Sequence, residues 1–253
     1  MLKKNFLTKQ TAEICDPEQI AFFNSLSSEW WNPNGKFRSM HAFNRIRRTY
    51  IENKIAQKFN RDLAGVRTFE GLRILDVGCG GGLMAEPLAA LGAEVVGVDA
   101  AIRNITIATQ HAEQNNVKLH YRHGTLETSV KAEEQFDVIL NLEVIEHVPN
   151  PGKLVQNCVK LLSSGGLLFV ATLNRTYRSF GLAIIGAEYV LRWLPVGTHK
   201  WSRFVTPAEL GDYIRLSGPT IIDRIGVSFS PLKWRWDVSS DLSVNYMLVA
   251  EQK

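Results

Sequence analysis

The chain has 253 residues, of which 45% are hydrophobic and 21% charged, and its formal net charge is +4. This composition is ordinary for a globular protein of one large domain and excludes a disordered or fibrous chain. The charge is too small to indicate strong binding to nucleic-acid phosphates, so we expect no nucleic-acid partner. Three widely spaced cysteines, Cys15, Cys79 and Cys158, argue against a disulfide framework or a cysteine zinc site and favour a reducing compartment.

The N-terminal region has the features of neither a secretory signal nor a transit peptide, and no apolar run reaches the roughly 20 residues of a membrane-spanning helix. We therefore expect a soluble, cytoplasmic protein. Residues 1–70 are predicted to form a helical extension. Within it, Asp16-Pro17-Glu18-Gln19 has the pattern of a helix start with a capping box, and apolar spacing predicts a second helix from about Phe43 to Leu63.

From Arg73 onward, short apolar runs alternate with helical patterns. The predicted strands are Arg73–Val77, Glu94–Val98, Lys118–Arg122, Phe136–Leu142, Gly166–Leu173, Thr220–Val227 and Val244–Glu251. The predicted helices lie around Leu83–Leu91, Ile102–Asn115 and Gly152–Leu162, and another begins at Pro207 with Thr206 and Glu209 as its capping box. Because parallel strands need crossovers, this alternation predicts an α/β domain over residues 71–253, with a doubly wound, mostly parallel seven-stranded sheet. Residues 174–205 are long for a connection and are predicted to be an insert.

A glycine-rich loop follows the first predicted strand, with Gly78, Gly80 and Gly82 at alternate positions. Glycines let the backbone turn tightly and approach a ligand closely. Asp99 ends the next strand about 20 residues later, where a carboxylate can accept hydrogen bonds from ribose hydroxyls. Asp76 precedes the first glycine by two positions, where it would repel a pyrophosphate and attract a sulfonium cation. The spacing therefore favours S-adenosylmethionine over a nicotinamide cofactor, the alternative being a glycine turn that binds nothing.

Three polar side chains, Glu143, Glu146 and His147, follow the fourth predicted strand. In sheets of this type, ligands bind outside the carboxyl ends of the strands, so this segment is expected at the same edge as the glycine loop. If it is helical, the three side chains share one face and can bind a divalent cation with water and substrate oxygens. The alternative is that the two glutamates favour a helix N-terminus and that His147 is a surface residue.

Together with the glycine loop, Asp99 and the Glu143–Pro149 segment, several further sequence blocks resemble a known family. These blocks are WWNPNGKF at residues 30–37, MHAFNRIR at 40–47, TLNR at 172–175, GAEYVLR at 186–192, GTHK at 197–200 and DLSVNYM at 241–247. The glycine loop is similar to that of class I methyltransferases in general. The other blocks, which span nearly the whole chain, are similar to the ubiquinone biosynthesis O-methyltransferases.

The resemblance implies an enzyme that methylates catechol-type hydroxyls of polyprenylated intermediates at two steps of ubiquinone synthesis. The cofactor contacts that it implies are Arg47, Gly78, Asp99 and Leu142. The divalent-cation ligands that it implies, with Mg²⁺ as the expected ion, are Glu143, Glu146 and His147. A guanidinium pairs well with a carboxylate, which gives Arg47 a physical reason to hold the methionine carboxylate of the donor.

Two catalytic roles remain open for the segment after the fourth strand. A cation held by Glu143, Glu146 and His147 would favour the phenolate form of a bound catechol, which then attacks the methyl group in line. Alternatively, His147 is a general base close to its ordinary pKa. The sequence does not separate these two interpretations.

Residues 174–203 combine large apolar side chains with a frame of basic residues. This composition is typical of a segment that lies in the membrane interface, and a polyprenyl tail has to be collected from a bilayer. We therefore expect peripheral contact with the inner, cytoplasmic membrane, and association with other enzymes of ubiquinone synthesis. The alternative is an ordinary lid that packs on the core.

Other acceptors and a loss of catalysis are the remaining alternatives. A class I methyltransferase can act on another small molecule or on RNA, but the chain has no Asn/Asp-Pro-Pro-aromatic motif of the kind that holds a base amino group. A cofactor-binding scaffold without catalysis is disfavoured by the intact Asp76, Asp99 and Glu/His positions.

Overall fold

The computed structural model describes residues 16–32, 35, 38–190, 200–230 and 235–253. Several features of the sequence therefore lie outside the described residues. They are Cys15 with the rest of residues 1–15, part of the WWNPNGKF block, residues 191–199 of the insert and Trp234.

The helices of the described residues lie on both sides of one central sheet. Two of them precede the sheet in the chain: α1 is Pro17–Leu26 and α2 is Arg38–Lys58. The others are α3 (Ala85–Ala90), α4 (Ile102–Gln114), α5 (Leu126–Ser129), α6 (Pro151–Lys160), α7 (Tyr177–Ser179) and α8 (Pro207–Ser217). Short 3₁₀ turns occur at Ser27–Glu29, Ile145–His147 and Trp201–Arg203, and a π-helical segment, Phe180–Val190, continues α7.

The central sheet has eight strands among the described residues, in the order β3-β2-β1-β4-β5-β8-β6-β7. They are β1 (Arg73–Val77), β2 (Glu94–Asp99), β3 (His120–His123), β4 (Phe136–Leu142), β5 (Leu162–Leu173), β6 (Thr220–Ser230), β7 (Arg235–Ser239) and β8 (Asn245–Glu251). The first five strands of this order pair in parallel, and β8, β6 and β7 pair antiparallel. The doubly wound α/β fold is confirmed.

The predicted count of seven strands is wrong, because β6 is longer than expected and forms a hairpin with β7. Phe229 of β6 pairs with Trp236 of β7, and the pairing continues to Gly226 and Ser239. The sequence of β7 alternates charged and apolar residues over only five positions, so its pattern alone does not distinguish a strand from a loop. Its partner strand supplies the hydrogen bonds that stabilise it.

Two hydrophobic clusters cover the two faces of the sheet, and α2 belongs to one of them. Ile51 and Ile55 of α2 are fully buried in the same cluster as Ile74 of β1. On the residues just before these two isoleucines, Tyr50 donates to Asp223 of β6 over 2.7 Å, and Lys54 pairs with the same carboxylate at 2.5 Å. These contacts fix α2 against the sheet, and they therefore fix the position of Arg47 one turn earlier.

The helix caps show how two similar sequence patterns are used differently. Thr206 and Glu209 form the predicted capping box of α8. Asp16 caps α1 by accepting from the Glu18 amide, but the predicted box partner Gln19 places its Oε1 2.8 Å from Nδ1 of His147. Gln19 thus contacts the candidate site instead of completing the cap.

None of the helices in the described part of the chain is both long and apolar enough to cross a membrane.

Candidate active site

The loop after β1 is shaped by glycines in the left-handed region. Gly78 has a φ of 70° and Gly80 a φ of 54°, values that residues with a Cβ rarely adopt. The amide groups of Gly78 and Cys79 donate to the carbonyl of Val98 over 2.7 and 3.0 Å, which ties the loop to β2. A Cβ built on Gly78 would lie 2.4 Å from Cγ2 of Val144, so the loop also approaches the segment after β4.

Asp99 is held at the end of β2 by three hydrogen bonds. Its Oδ2 accepts from the Gly80 amide at 3.0 Å, and its Oδ1 accepts from the Ala101 amide at 2.7 Å and from Nδ2 of Asn104 at 3.2 Å. Burial raises the pKa of Asp99, while these three donors oppose that shift. The carboxylate therefore has a fixed orientation beside the glycine loop, as a ribose-binding group requires.

Asp76, near the end of β1, lines one cavity together with Asp99 and the glycine loop, and it is only 3% exposed. Burial, followed by the nearby charge of Asp99, raises its pKa from 3.8 to about 7. A carboxylate with a raised pKa in a closed space gains most from a ligand that brings a positive charge. This is the position where the sequence predicted the sulfonium and amino side of the donor.

Two indole rings from the turn after α1 cover the glycine loop. Trp31 Nε1 donates to the Gly81 carbonyl over 2.8 Å, and Trp30 Nε1 donates to Oδ1 of Asn104 over 2.8 Å. The Trp31 ring also stacks on His111 of α4, with a centroid distance of 3.5 Å and an interplanar angle of 3°. We call residues 16–32 the N-terminal cover, since Trp30 and Trp31 of this segment lie over the glycine loop.

A cavity of about 790 Å³ extends from the glycine loop toward the β6–β7 hairpin. Its lining includes all five positions predicted to bind the cofactor, Arg47, Gly78, Gly80, Asp99 and Leu142. It also includes many apolar side chains that the sequence did not assign to the site, among them Ile20, Phe23, Met40, Phe43, Leu182 and Trp236. The structure brings the predicted positions together, and their contacts with a cofactor stay a prediction.

Arg47 forms a buried ion pair with Glu143 at the end of β4. Its Nη1 donates to Glu143 Oε1 over 2.6 Å, and its Nη2 donates to Oδ1 of Asn44 over 2.7 Å. Arg47 is 3% exposed, and its guanidinium lies 4.0 Å from the centroid of the Phe43 ring. Burial lowers the pKa of Arg47, and the charge of Glu143 opposes that shift. The guanidinium of Arg47 is thus paired with the carboxylate of Glu143 at the edge of the cavity.

The side chains of Glu143, Glu146 and His147, which follow β4, do not share a helical face. Glu143 has a φ of 59°, in the left-handed region, and only Ile145–His147 form a 3₁₀ turn. The condition for a shared helical face is therefore not met, because Glu143 has a left-handed backbone conformation before the 3₁₀ turn begins.

Glu146 and His147 occupy different environments. Glu146 is 3% exposed; its Oε2 accepts from Thr172 Oγ1 at 2.9 Å, and its Oε1 has no hydrogen-bond partner among the described residues. Burial, with the charge of Glu143 as the second cause, raises the pKa of Glu146. His147 lines the cavity, with Nδ1 next to Gln19 and its ring edge-on to Phe23 at 5.2 Å.

This arrangement does not fit a divalent cation. Within the described ranges, no three His, Cys, Asp or Glu side chains are placed to share a metal ion. Glu143 is paired with Arg47, and His147 contacts Gln19 of the N-terminal cover. The predicted cation ligands Glu143, Glu146 and His147 therefore stay a prediction to be tested directly.

Several site residues carry no local signal in the sequence. Asn104 hydrogen-bonds to both Asp99 and Trp30. The one sequence feature that could have identified Asn104 is its position five residues after Asp99, in the first turn of α4. Asn44 and Gln19 reach the site from helices far away in the chain, so no spacing rule identifies them.

Comparison with known proteins agrees with this geometry. A family model described as a methyltransferase domain matches residues 43–222. The ubiquinone biosynthesis O-methyltransferase of Cereibacter sphaeroides is 50% identical over 245 residues, which are 96% of this chain and 99% of the relative. That of Roseobacter denitrificans is 54% identical over 233 residues, or 92% of this chain and 94% of the relative. The crystal structure of magnesium protoporphyrin IX methyltransferase from Synechocystis with bound SAH has a TM-score of 0.57 at 17% identity, covers 82% of this chain and 84% of that chain, and shows the fold alone.

Proposed function

The chain belongs to the ubiquinone biosynthesis O-methyltransferases and is an S-adenosylmethionine-dependent methyltransferase, and from this premise we propose that it methylates a catechol-type hydroxyl of a polyprenylated acceptor. The observation that carries the proposal is the continuous cavity. It joins the glycine loop, Asp76 and Asp99 to a largely apolar region that ends at the β6–β7 hairpin. A polar donor and an acceptor with a long hydrocarbon tail need these two kinds of surface next to each other.

The donor side of the cavity has two carboxylates with separate tasks. S-adenosylmethionine, when bound, supplies an electrophilic methyl group on a positively charged sulfur. Asp99, held by Gly80, Ala101 and Asn104, offers oxygen acceptors for the ribose hydroxyls. Asp76 stabilises the positive side of the donor, and its raised pKa falls when that charge arrives.

On the acceptor side, we propose His147 as the general base that takes the proton from the acceptor hydroxyl. The Nδ1 of His147 lies 2.8 Å from Gln19 Oε1, which is an acceptor, so Nδ1 carries the proton and Nε2 is the basic nitrogen. Glu143, which also lines the cavity, is held in place by its ion pair with Arg47, and its carboxylate can accept a hydrogen bond from an acceptor hydroxyl. Removal of the hydroxyl proton makes the oxygen nucleophilic enough to attack the methyl group in line.

The insert supports a proposal that the enzyme collects its acceptor from a membrane surface. Tyr177 is 88% exposed, Leu182 55% and Ile185 46%. Arg178, next to Tyr177 in the chain, is 59% exposed and pairs with Asp241 at 2.6 Å. Leu182 and Gly186 also line the cavity, so the exposed apolar surface is continuous with the acceptor side. An apolar face with adjacent basic residues is suited to the acyl and headgroup boundary of an anionic bilayer. Peripheral association with the inner membrane, and with a complex of ubiquinone-synthesis enzymes, remain part of the proposal.

Liposome flotation tests the membrane surface. We expect the Tyr177→Glu/Ile185→Glu double variant to lose most of its association with anionic vesicles, because two charges would enter the acyl boundary. Leu216→Glu is the matched control, since Leu216 is 87% exposed on α8, outside the insert. Equal flotation of the wild type and the double variant would contradict this surface.

Methyl transfer from labelled S-adenosylmethionine to a short-prenyl dihydroxybenzoate tests the function itself. The assay is run with added magnesium and with excess chelator. Transfer that chelator leaves unchanged agrees with His147 as base, and we then expect His147→Asn to lose about a hundredfold or more in kcat. Transfer that stops on chelation and returns with magnesium would support a cation held by Glu143, Glu146 and His147, and would contradict His147 as the general base. Donor binding without any transfer would point to a different acceptor.

A further inference from the structure

Three aromatic side chains from distant parts of the chain form one side of the cavity. The ring centroid of Trp236 in β7 lies 5.2 Å from that of Phe43 in α2 and 5.2 Å from that of Phe229 in β6. All three residues are partly exposed and line the cavity. We call these three residues the aromatic wall.

The local sequence of β7 explains why Trp236 faces the cavity. Successive side chains of a strand point to opposite faces of the sheet. The neighbours of Trp236, Arg235 and Asp237, form an ion pair with each other at 2.9 Å, and both are largely exposed. The charged side chains therefore use the outer face of the hairpin, and the indole uses the face toward the cavity.

The aromatic wall begins next to the reacting end of the acceptor side. Phe43 lies one helical turn before Arg47, whose guanidinium is 4.0 Å from the Phe43 ring. Arg47 in turn pairs with Glu143, at the end of β4. A group placed beside Glu143 thus has Phe43 as a near neighbour; Trp236 is the next ring along the wall and Phe229 the one after it.

We propose that the aromatic wall binds the apolar substituent beside the hydroxyl pair of the acceptor, and that Trp236 is the residue that selects for it. This inference rests on the proposed function, because it assigns the substituent of the same acceptor. The wall itself presents rings and no charged group, whereas the polar groups of the acceptor side, Glu143 and His147, lie at its other end. Aromatic faces bury large apolar area with little loss of conformational entropy, so they suit an unsaturated hydrocarbon chain.

Equilibrium binding to the protein saturated with adenosylhomocysteine tests the wall without requiring turnover. The probes are a dihydroxybenzoate with a geranyl substituent beside the hydroxyl pair and the same compound without it. We expect the wild type to bind the geranylated compound more tightly, and Trp236→Ala to lose about tenfold of that preference. The affinity for the compound without the geranyl group should change by less than about twofold, since its loss of contact is small.

Two further variants keep the test interpretable. Phe229→Ala removes a second ring of the wall and should reduce the preference in the same direction, which also serves if Trp236→Ala folds poorly. Val238→Ala is the matched control: Val238 is on the same strand and the same face as Trp236 and is 46% exposed, but it is not among the residues that line the cavity, so the full preference should remain.

The outcomes separate the wall from the proposed function. A wild type with equal affinity for both probes, or a Trp236→Ala variant that weakens both equally, would overturn the aromatic wall as the site of the substituent. A wild type that prefers the geranylated probe but methylates neither compound would keep the wall and reject the proposed reaction. When turnover occurs, the lost preference of Trp236→Ala should also appear as a higher KM for the geranylated compound, with kcat nearly unchanged.

Discussion

The donor side and the acceptor side of the cavity are built in different ways. On the donor side, the groups that shape the site come from one stretch of chain, since Gly78, Gly80 and Asp99 belong to the loop after β1 and to the strand that follows it. On the acceptor side, each contact joins distant segments: Arg47 to Glu143, Gln19 to His147, and Phe43 to Trp236.

This difference separates the conserved chemistry of a fold from the specificity of one enzyme. A donor site made of a glycine loop and two carboxylates on neighbouring strands depends on few side chains, so it suits any methyltransferase of this fold. An acceptor site made of long-range side-chain contacts can change through single substitutions. Three experiments test the contrast, from the largest expected effect to the smallest.

Removal of Arg47 should have the largest effect, because it leaves a carboxylate without its cation in a mostly closed site. We expect Arg47→Leu to lower the free energy of unfolding by about 3 kcal/mol and to abolish most methyl transfer. Chemical denaturation measures the first quantity, and the labelled-donor assay the second.

Arg48→Leu is the matched control for Arg47. Arg48 is 40% exposed and pairs with Glu52 four residues along the same helix, an arrangement worth about 0.5 kcal/mol or less. If the double variant Arg47→Leu/Glu143→Gln recovers none of the lost stability, the loss has another cause than the uncompensated charge.

A side chain at Gly78 should break the donor side. Gly78→Ala combines a left-handed φ of 70° with a Cβ only 2.4 Å from Val144, so we expect a loss of about 2 kcal/mol in stability together with loss of donor binding. Calorimetric titration with S-adenosylmethionine measures the binding.

Gly71 offers a control for strain without a clash. Its φ is 81°, but a Cβ there would meet nothing within 4 Å. Gly71→Ala should therefore cost about 1 kcal/mol and leave donor binding intact. Equal effects on donor binding at the two glycines would contradict a role for the close approach of the loop to Val144.

The pH dependence of donor binding should have the smallest but most specific effect. Without donor, Asp76 has a pKa of about 7, so below that pH the carboxyl must lose a proton before it can pair with the sulfonium side. The affinity for S-adenosylmethionine should increase by up to about tenfold per pH unit below 7 and become constant above it. Titrations between pH 5.5 and pH 8.5, about 1.5 units on either side of the shifted pKa, would measure this curve.

Two comparisons sharpen the pH experiment. Asp76→Asn should remove the dependence in this window, and adenosylhomocysteine, which lacks the sulfonium charge, should show less of it. A steep curve that persists in Asp76→Asn would assign the titration to another group. The sign for stability is opposite: the stabilising contribution of Asp76 to the donor-free protein is present below its ordinary pKa of 3.8 and is lost as the pH rises through 7.

The same contrast explains which parts of the fold and of the site could be predicted from the sequence. The bounds of β1 and β4 were predicted to the residue, because each is a short apolar run that ends at polar or glycine-rich sequence. The glycine loop and Asp99 could be found because their spacing is local.

The acceptor side was less accessible to sequence reasoning for a physical reason. The helical face of Glu143, Glu146 and His147 was expected from their spacing, but the left-handed backbone at Glu143 removes it. The hairpin that places Trp236 was missed, since the pairing of β7 with β6 provides stability that its own sequence does not show. Neither a single left-handed residue nor the pairing of one short strand with its neighbour leaves a periodic signal in the sequence.

The N-terminal cover also limits which residues the glycine loop can contain, through steric contact and not through backbone conformation. Unlike Gly78, Gly80 and Gly82, Gly81 does not have a φ in the left-handed region, so its own backbone would accept a side chain. The obstacle is Trp30, whose side chain would lie 2.5 Å from a Cβ on Gly81. Positions 30 and 81 should therefore vary together in evolution: because the Cβ of Trp30 is itself 2.5 Å away, only a lineage with glycine at position 30 becomes free to change Gly81.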